Sequence, residues 1–312
     1  MKRPSLLCLL FCLLAATLVA QTQIGGGTCS SATLSGTYAM SLTGRQATAS
    51  GNITNFFQSN GSVNFDGLSN VTISLTGFTL ASAGTSFAAS AGTPLSWSGT
   101  YSMQSNCIGQ VTITSGGSAT FNVVSYDNGV DFLLTGNDAT YAYTGSGNTQ
   151  PTSCSTSALA GLYSFNGTGY ETSGSGVIGA GDVVGTVQFD GQGSAIVNVS
   201  VAGLGNSSSQ GPYSVSSNCL GKATLGASNG RNMFTMIFSV DGGNAVASAD
   251  FFAMIAFDFS NTGAPESVFV TGNGHAISGQ PTASAANRGA ADKPAGNALA
   301  TLWSAAGDGR AK

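Results

Sequence analysis

The chain has 312 residues, of which 42% are hydrophobic and only 7% charged, with a formal net charge of −4. That balance excludes both a highly charged disordered chain and a bundle of membrane helices. Between residues 21 and 279 the basic side chains are Arg45, Lys222 and Arg231, against eleven acidic ones, so the clustered lysines and arginines that nucleic acid or an anionic lipid surface requires are missing.

At the amino end Lys2 and Arg3 precede an apolar run from Leu6 to Ala20, broken by Cys8, Cys12 and Thr17 and followed by polar Gln21. The run is shorter than the ~20 residues of a membrane span and ends in small residues, which predicts a signal peptide over residues 1–20. The mature chain is then expected to be secreted or at the cell surface, with the periplasm open as an alternative, and to carry no transmembrane helix.

The next segment is stated twice. CSSATLSGTY, with Cys29, Leu34, Gly36 and Tyr38, returns at the same spacing as CSTSALAGLY, with Cys154, Leu159, Gly161 and Tyr163. GSVNFDG, ending at Gly67, returns as GTVQFDG, ending at Gly191, and GTYSMQSNCIG, with Tyr101 and Cys107, returns as GPYSVSSNCLG, with Tyr213 and Cys219. Self-similarity of this kind marks a duplicated structural unit. It predicts one β module over 21–148 and a second over 149–279. Residues 280–312, rich in Ala, Gly, Asn and Pro, form a low-complexity tail expected to be disordered.

With Cys8 and Cys12 assigned to the leader, each copy keeps two cysteines in matching places. Four cysteines allow three pairings. A unit that stood alone before it was doubled must have bonded within itself, which selects Cys29 with Cys107 and Cys154 with Cys219. Export to an oxidising compartment supplies the chemistry.

Along both copies, runs with period-two alternation, rich in Val, Ile, Thr, Phe and Tyr, recur at intervals of about ten residues. In the first copy strands are predicted at 36–42, 50–57, 62–65, 71–80, 95–103, 110–114, 119–126, 130–134 and 140–144. In the second they are predicted at 161–167, 182–189, 195–201, 211–215, 222–226, 232–240, 249–257 and 267–272. Asp66-Gly67, Asn128-Gly129, Asp190-Gly191 and Asp241-Gly242 read as hairpin turns, since such pairs supply the positive φ of two-residue loops. A calcium loop would need oxygen ligands at alternate positions, and Asp127, Asp131 and Asp138 make only a loose cluster.

The fold class is therefore all-β: two tandem antiparallel modules, built as closed up-and-down barrels or as β-sandwiches. LSGTY at 34–38 and LAGLY at 159–163 resemble the first-strand Gly-x-aromatic signature of calycin-type barrels, the avidin and lipocalin group, which favours the barrel. In that group the aromatic, usually Trp, closes one end; here it is Tyr38 and Tyr163. More broadly, LSGTY, FDG and GTYSMQSNCIG are similar to the repeats of uncharacterised secreted proteins of soil bacteria. That resemblance covers nearly the whole mature chain and implies a secreted repeat module without a known activity.

The copies differ in two places. Phe65 to Cys107 spans 42 residues but Phe189 to Cys219 spans 30, so the first copy carries an insertion within 78–97, an added hairpin or long loop that includes Trp97. The second carries the apolar run from Met233 to Phe259, read as core strands, as a contact between modules or as the wall of an apolar ligand cavity. Tyr38, Trp97 and Tyr163 are the candidate ligand-binding residues.

Catalytic chemistry is poorly provided for. His275 is the lone histidine, so no nucleophile–base triad can be drawn. Asp131, Asp138, Asp182, Asp250, Asp258 and Glu266 show no spacing that singles out a facing pair of carboxylates. Neither an enzyme nor a cofactor or metal site is expected. The N-x-[ST] triplets at Asn52, Asn60, Asn70, Asn166, Asn198 and Asn206 arise by chance in a chain so rich in these residues. The expected function is a secreted, non-catalytic binding module that holds a small apolar or sugar-like ligand, or a cell-surface component, inside its barrels. The alternative is a structural or adhesive cell-surface protein; an outer-membrane barrel is disfavoured by the short strands and paired cysteines.

Overall fold

The computed structural model describes residues 28–47, 53–83, 86–173, 176–201, 205–226, 233–241, 251–258 and 267–277. The expected leader and tail lie outside the described residues. The first module comprises β1 (Ser35–Ala47), β2 (Ile53–Asp66), β3 (Asn70–Ala83), β4 (Ser86–Met103), β5 (Ile108–Ser115), β6 (Thr120–Tyr126), β7 (Asp131–Asn137) and β8 (Ala142–Thr149). The second comprises β9 (Ala160–Ser173), β10 (Gly176–Asp190), β11 (Ser194–Val201), β12 (Gly205–Val215), β13 (Leu220–Gly226), β14 (Met233–Val240), β15 (Phe251–Asp258) and β16 (Ser267–Ala276).

Each strand pairs antiparallel with the next, and β8 returns to β1 with Tyr38 opposite Thr149 and Arg45 opposite Ala142. In the same way β16 returns to β9, from Ser267 opposite Thr172 to Ala276 opposite Tyr163. Both modules are thus closed up-and-down barrels, not sandwiches. Alternation does the sorting: on β5 and β6, Val111, Ile113, Phe121 and Val123 are buried in the interior while Gln110, Thr120 and Asn122 are exposed.

One expected break is absent. Residues 58–61, left between the predicted strands 50–57 and 62–65, run straight through the middle of β2. At Gly61 a Cβ atom would lie 2.0 Å from the Ser74 carbonyl oxygen of β3, so only glycine lets the strands approach this closely. The neighbouring Asn60 faces the other way and is also buried.

The Asp66-Gly67 and Asp190-Gly191 turns are three-residue loops instead of two-residue ones, and Gly242 of the Asp241-Gly242 pair lies outside the described residues. Gly67 and Gly191 take positive φ of 77° and 72°, as expected of their type. The preceding aspartates close the loops: Asp66 Oδ1 accepts from the backbone N–H of Leu68, Ser69 and Asn70 at 2.8–2.9 Å. Asp190 Oδ1 accepts from Gln192, Gly193 and Ser194 at 2.7–2.8 Å. Such cages favour the ionised carboxylate, and the N–H of Asn70 followed by that of Leu68 holds the Asp66 carboxyl down at about 2.

The other repeated residues are anchors as well. Tyr101 donates its hydroxyl to the carbonyls of Ser31 and Leu34, both at 2.8 Å, pinning the short 3-10 turn that leads into β1. Tyr213 does the same to Thr156 and Leu159 at 2.9 and 2.7 Å. Disulfides join Cys29 to Cys107 and Cys154 to Cys219, with Cα–Cα distances of 5.0 and 4.9 Å. Each ties the segment before its barrel to the hairpin that begins β5 or β13.

The insertion of the first copy is an extension of one hairpin. β3 and β4 have 14 and 18 residues where their counterparts β11 and β12 have 8 and 11.

The barrels also pack side by side. Ala39, Phe56, Gln58 and Asn60 point away from the first barrel's interior yet are buried, and so are Ile237, Ser239 and Asp241 on the outer side of the second. β1 and β2 lie against β14 and β15. Side chains hydrogen-bond across the boundary: Asn60 Nδ2 donates to the Ile237 carbonyl at 3.2 Å, Asn148 Nδ2 to Asp241 Oδ2 at 3.1 Å and Gln150 Nε2 to the Val240 carbonyl at 3.1 Å. The apolar density of β14 therefore has two causes, since Met236, Phe238 and Val240 line its own barrel while Ile237 covers the neighbour.

Candidate functional site

The candidate ligand-binding side chains lie inside the barrels. Tyr38 is 1% exposed, Trp97 6% and Tyr163 0%. Tyr38 on β1 meets Phe65 of β2 and Phe132 of β7 edge-on, with ring centroids 5.7 and 5.4 Å apart, and its hydroxyl donates to the Gly129 carbonyl at 2.7 Å. Burial raises its phenol pKa.

Trp97 has the same parity on β4 as Leu95, Gly99 and Tyr101, which turns it inward. Its ring lies 6.1 Å from that of Tyr143 on β8, the strand diametrically opposite, and 6.2 Å from Phe121 on β6. When rings from opposite walls of an eight-stranded barrel touch, the lumen at that level is side chain, the usual condition of barrels this narrow. In the second barrel Phe189 meets Tyr163, Tyr213 and Phe238 at 5.7, 4.7 and 5.6 Å. Tyr38, Trp97 and Tyr163 are brought into cores and not into one site: the first two sit at separate levels of one barrel, the third in the other.

The carboxylates are equally dispersed. Asp138 closes the β7–β8 turn, its Oδ1 accepting from the N–H of Thr140 and Tyr141 and its Oδ2 from the Tyr143 hydroxyl, each at 2.6 Å. Asp131 is only 9% exposed; burial, then the nearby charge of Asp127, pushes its carboxyl pKa up. Asp182 is on exposed outer surface, while the side chains of Asp250, Asp258 and Glu266 fall outside the described residues. His275 sits on β16 opposite Ser164. Among the described residues no three His, Cys, Asp or Glu side chains could hold a metal ion.

No family model matches the chain, and neither does any curated protein. Among solved structures it is similar to a protein of unknown function from the DUF3598 family of Nostoc punctiforme, at 11% identity and a TM-score of 0.26, over 77% of this chain and 96% of that one. It is also similar to CghA, at 6% identity and a TM-score of 0.21, over 78% of this chain and 90% of that one. At TM-scores this low neither likeness carries an argument about function.

A concave feature lies between the barrels, lined in part by Pro94, Leu95 and Ser96 of the insertion and by Ser239 of the apolar run, the two segments in which the copies differ. Beside the Asn60–Ile237 contact the walls part to leave a half-open cleft of about 220 Å³. Ser62, Ser74 and Ser96, at outward positions of β2, β3 and β4, form one side, with Pro94 at its rim; Leu220 and Ser239 form the other. Ser239 is 0% exposed, points away from its own barrel and has no hydrogen-bond partner for its Oγ. No single copy contains this site, because it needs the docking of two modules. The signals in the sequence were the reading of 233–259 as a contact between modules and the outward parity of Ile237 and Ser239 within an otherwise apolar strand.

Proposed function

We propose that the chain is a secreted, non-catalytic protein of the cell exterior that acts through its outer surfaces, as a structural or adhesive two-barrel unit, and does not enclose a ligand. The observation that carries this reading is the contact of Trp97 with Tyr143 across the first barrel, at 6.1 Å. The interior is occupied there by the residues that a ligand would have had to touch. Secretion is supported by the apolar leader and by two disulfides, which persist in oxidising compartments.

The exterior suits water. Gln110, Thr114, Asn122 and Asn198 occupy exposed outward positions, where a barrel lying in lipid would show an apolar band. Among the described residues no helix is long and apolar enough to cross a membrane. The lone histidine, His275, leaves no nucleophile–base triad to draw, which supports a non-catalytic reading.

Native mass spectrometry of protein purified from its own host tests the reading. The expected mass is that of the mature chain with two disulfides and nothing retained. Recovery of a stoichiometric small molecule, released only on unfolding, would overturn it, as would solubility of the mature chain only in detergent.

A further inference from the structure

We propose that the cleft between the barrels binds one pyranose unit of a neutral saccharide. The proposal rests on the reading that the protein works through its outer surface and names a place and a ligand class for it.

Five hydroxyl side chains line the cleft, Ser62, Ser74, Thr76 and Ser96 from the first barrel and Ser239 from the second, with the amides of Gln150 and Asn218 beside them. A hydroxyl both donates and accepts, and its hydrogen rotates to suit the partner, so this lining is matched by a ligand whose own groups are hydroxyls. None of the residues lining the cleft is Lys, Arg, His, Asp or Glu. A charged ligand would give up hydration there without meeting a counter-charge. Pro94 and Leu220 supply small apolar faces against which the C–H face of a sugar ring can lie.

Ser239 adds an independent observation. An unpaired buried hydroxyl is a standing cost to the folded state, and this one lies just beneath the wall of the cleft, where a small shift of that wall would let a ligand hydroxyl satisfy it. Size agrees: about 220 Å³ is below the roughly 300–1,000 Å³ of sites that engulf drug-sized molecules. One ring fits, and because the cleft is half open the rest of a chain can run on into solvent.

The full mature chain, with its disulfides intact, is titrated with maltohexaose, cellohexaose and chitohexaose by calorimetry and by saturation-transfer NMR. At least one probe is expected to bind at a single site. Ser74→Tyr and Ser96→Tyr replace exposed residues, so the fold tolerates them, and each fills the cleft; both are expected to weaken binding by about tenfold or more. Ser239→Ala is expected to weaken it several-fold, and Thr120→Tyr, outside the cleft on β6, not at all. Absence of binding by all three probes overturns the proposal and leaves the cleft a water site. Unchanged affinity in Ser74→Tyr and Ser96→Tyr overturns it too, by placing the sugar elsewhere. A small molecule recovered from a barrel interior would instead overturn the outer-surface reading, and the cleft variants would still decide this site.

Discussion

Asn60 of the first barrel donates its side-chain amide to the backbone carbonyl of Ile237 in the second, across 177 positions of sequence. Both residues are buried on faces that a lone barrel would turn to water. The bond makes the tandem arrangement part of the folded structure and not merely a consequence of linkage.

Asn60→Ala should therefore destabilise the protein by about 1–3 kcal/mol, because it strands a buried carbonyl as well as losing a bond. Urea titration followed by tryptophan emission in a Trp303→Phe background, where Trp97 alone reports the first barrel, checks this. A loss within error of zero would show that the Asn60 bond adds nothing to the docking of the barrels. The same burial predicts that Asn60, although it heads an N-x-[ST] triplet, stays unmodified in the folded protein.

Trp97→Ala should cost about 3–5 kcal/mol, as removal of a large core ring does. Thermal unfolding followed by far-ultraviolet circular dichroism measures it. A change of only a few tenths would mean that Trp97 bounds an open space and would reopen the barrel interior as a ligand site.

Asp66 should make stability fall at acid pH. Its carboxyl sits at about 2 in the folded protein, below its ordinary value near 3.8. Below the ordinary value the unfolded chain takes up a proton that the native loop still refuses, so the contribution is full above about pH 4 and lost as pH falls through about 2. Asp66→Asn should flatten this part of the pH profile, measured as the thermal midpoint from pH 5 to 2. An unaltered slope would assign the acid sensitivity to other carboxylates.

Tyr101 and Tyr213 should act at the opposite end of the scale. Burial foremost raises both phenols to about 12. From about pH 10 to 12 the unfolded chain has lost protons that the native one keeps, so stability declines over that window. Tyr101→Phe and Tyr213→Phe should each cost about 0.5–1.5 kcal/mol at neutral pH through the lost carbonyl contacts, and each should make the alkaline decline shallower. Difference absorbance of phenolate near 295 nm follows ionisation directly; ordinary titration near pH 10 in the folded protein would contradict the assignment.

The parts legible in the sequence are those that act locally. Gly67 and Gly191 mark their turns by backbone freedom, and Val111, Ile113, Phe121 and Val123 mark an interior by parity. The disulfide partners followed from duplication. Trp97 could have been read as core from its parity with Leu95 and Tyr101, but its place in the longer copy drew it toward a loop. Residues 58–61 misled for a different reason. Glycine and asparagine signal turns only when nothing else needs them, and here Gly61 admits β3 while Asn60 meets the other barrel. Barrel closure was favoured by the Gly-x-aromatic resemblance at 34–38 and 159–163 and is borne out, whereas the shape of the cleft at Ser239 depends on contacts between distant segments, which no local pattern encodes.

Closure has a last consequence. An open sheet leaves a row of unpaired N–H and C=O groups along its margin, and soluble proteins commonly guard such margins with charges, lysine above all. With 7% charged residues, this chain has few guards to post. The β1–β8 and β9–β16 pairings remove the two margins that open sheets would carry, and among the described residues of the first barrel the long stretch left with one neighbour is β4 before Ser98, so a protein rich in serine, threonine and asparagine can be rich in strands and still resist adding itself to its neighbours.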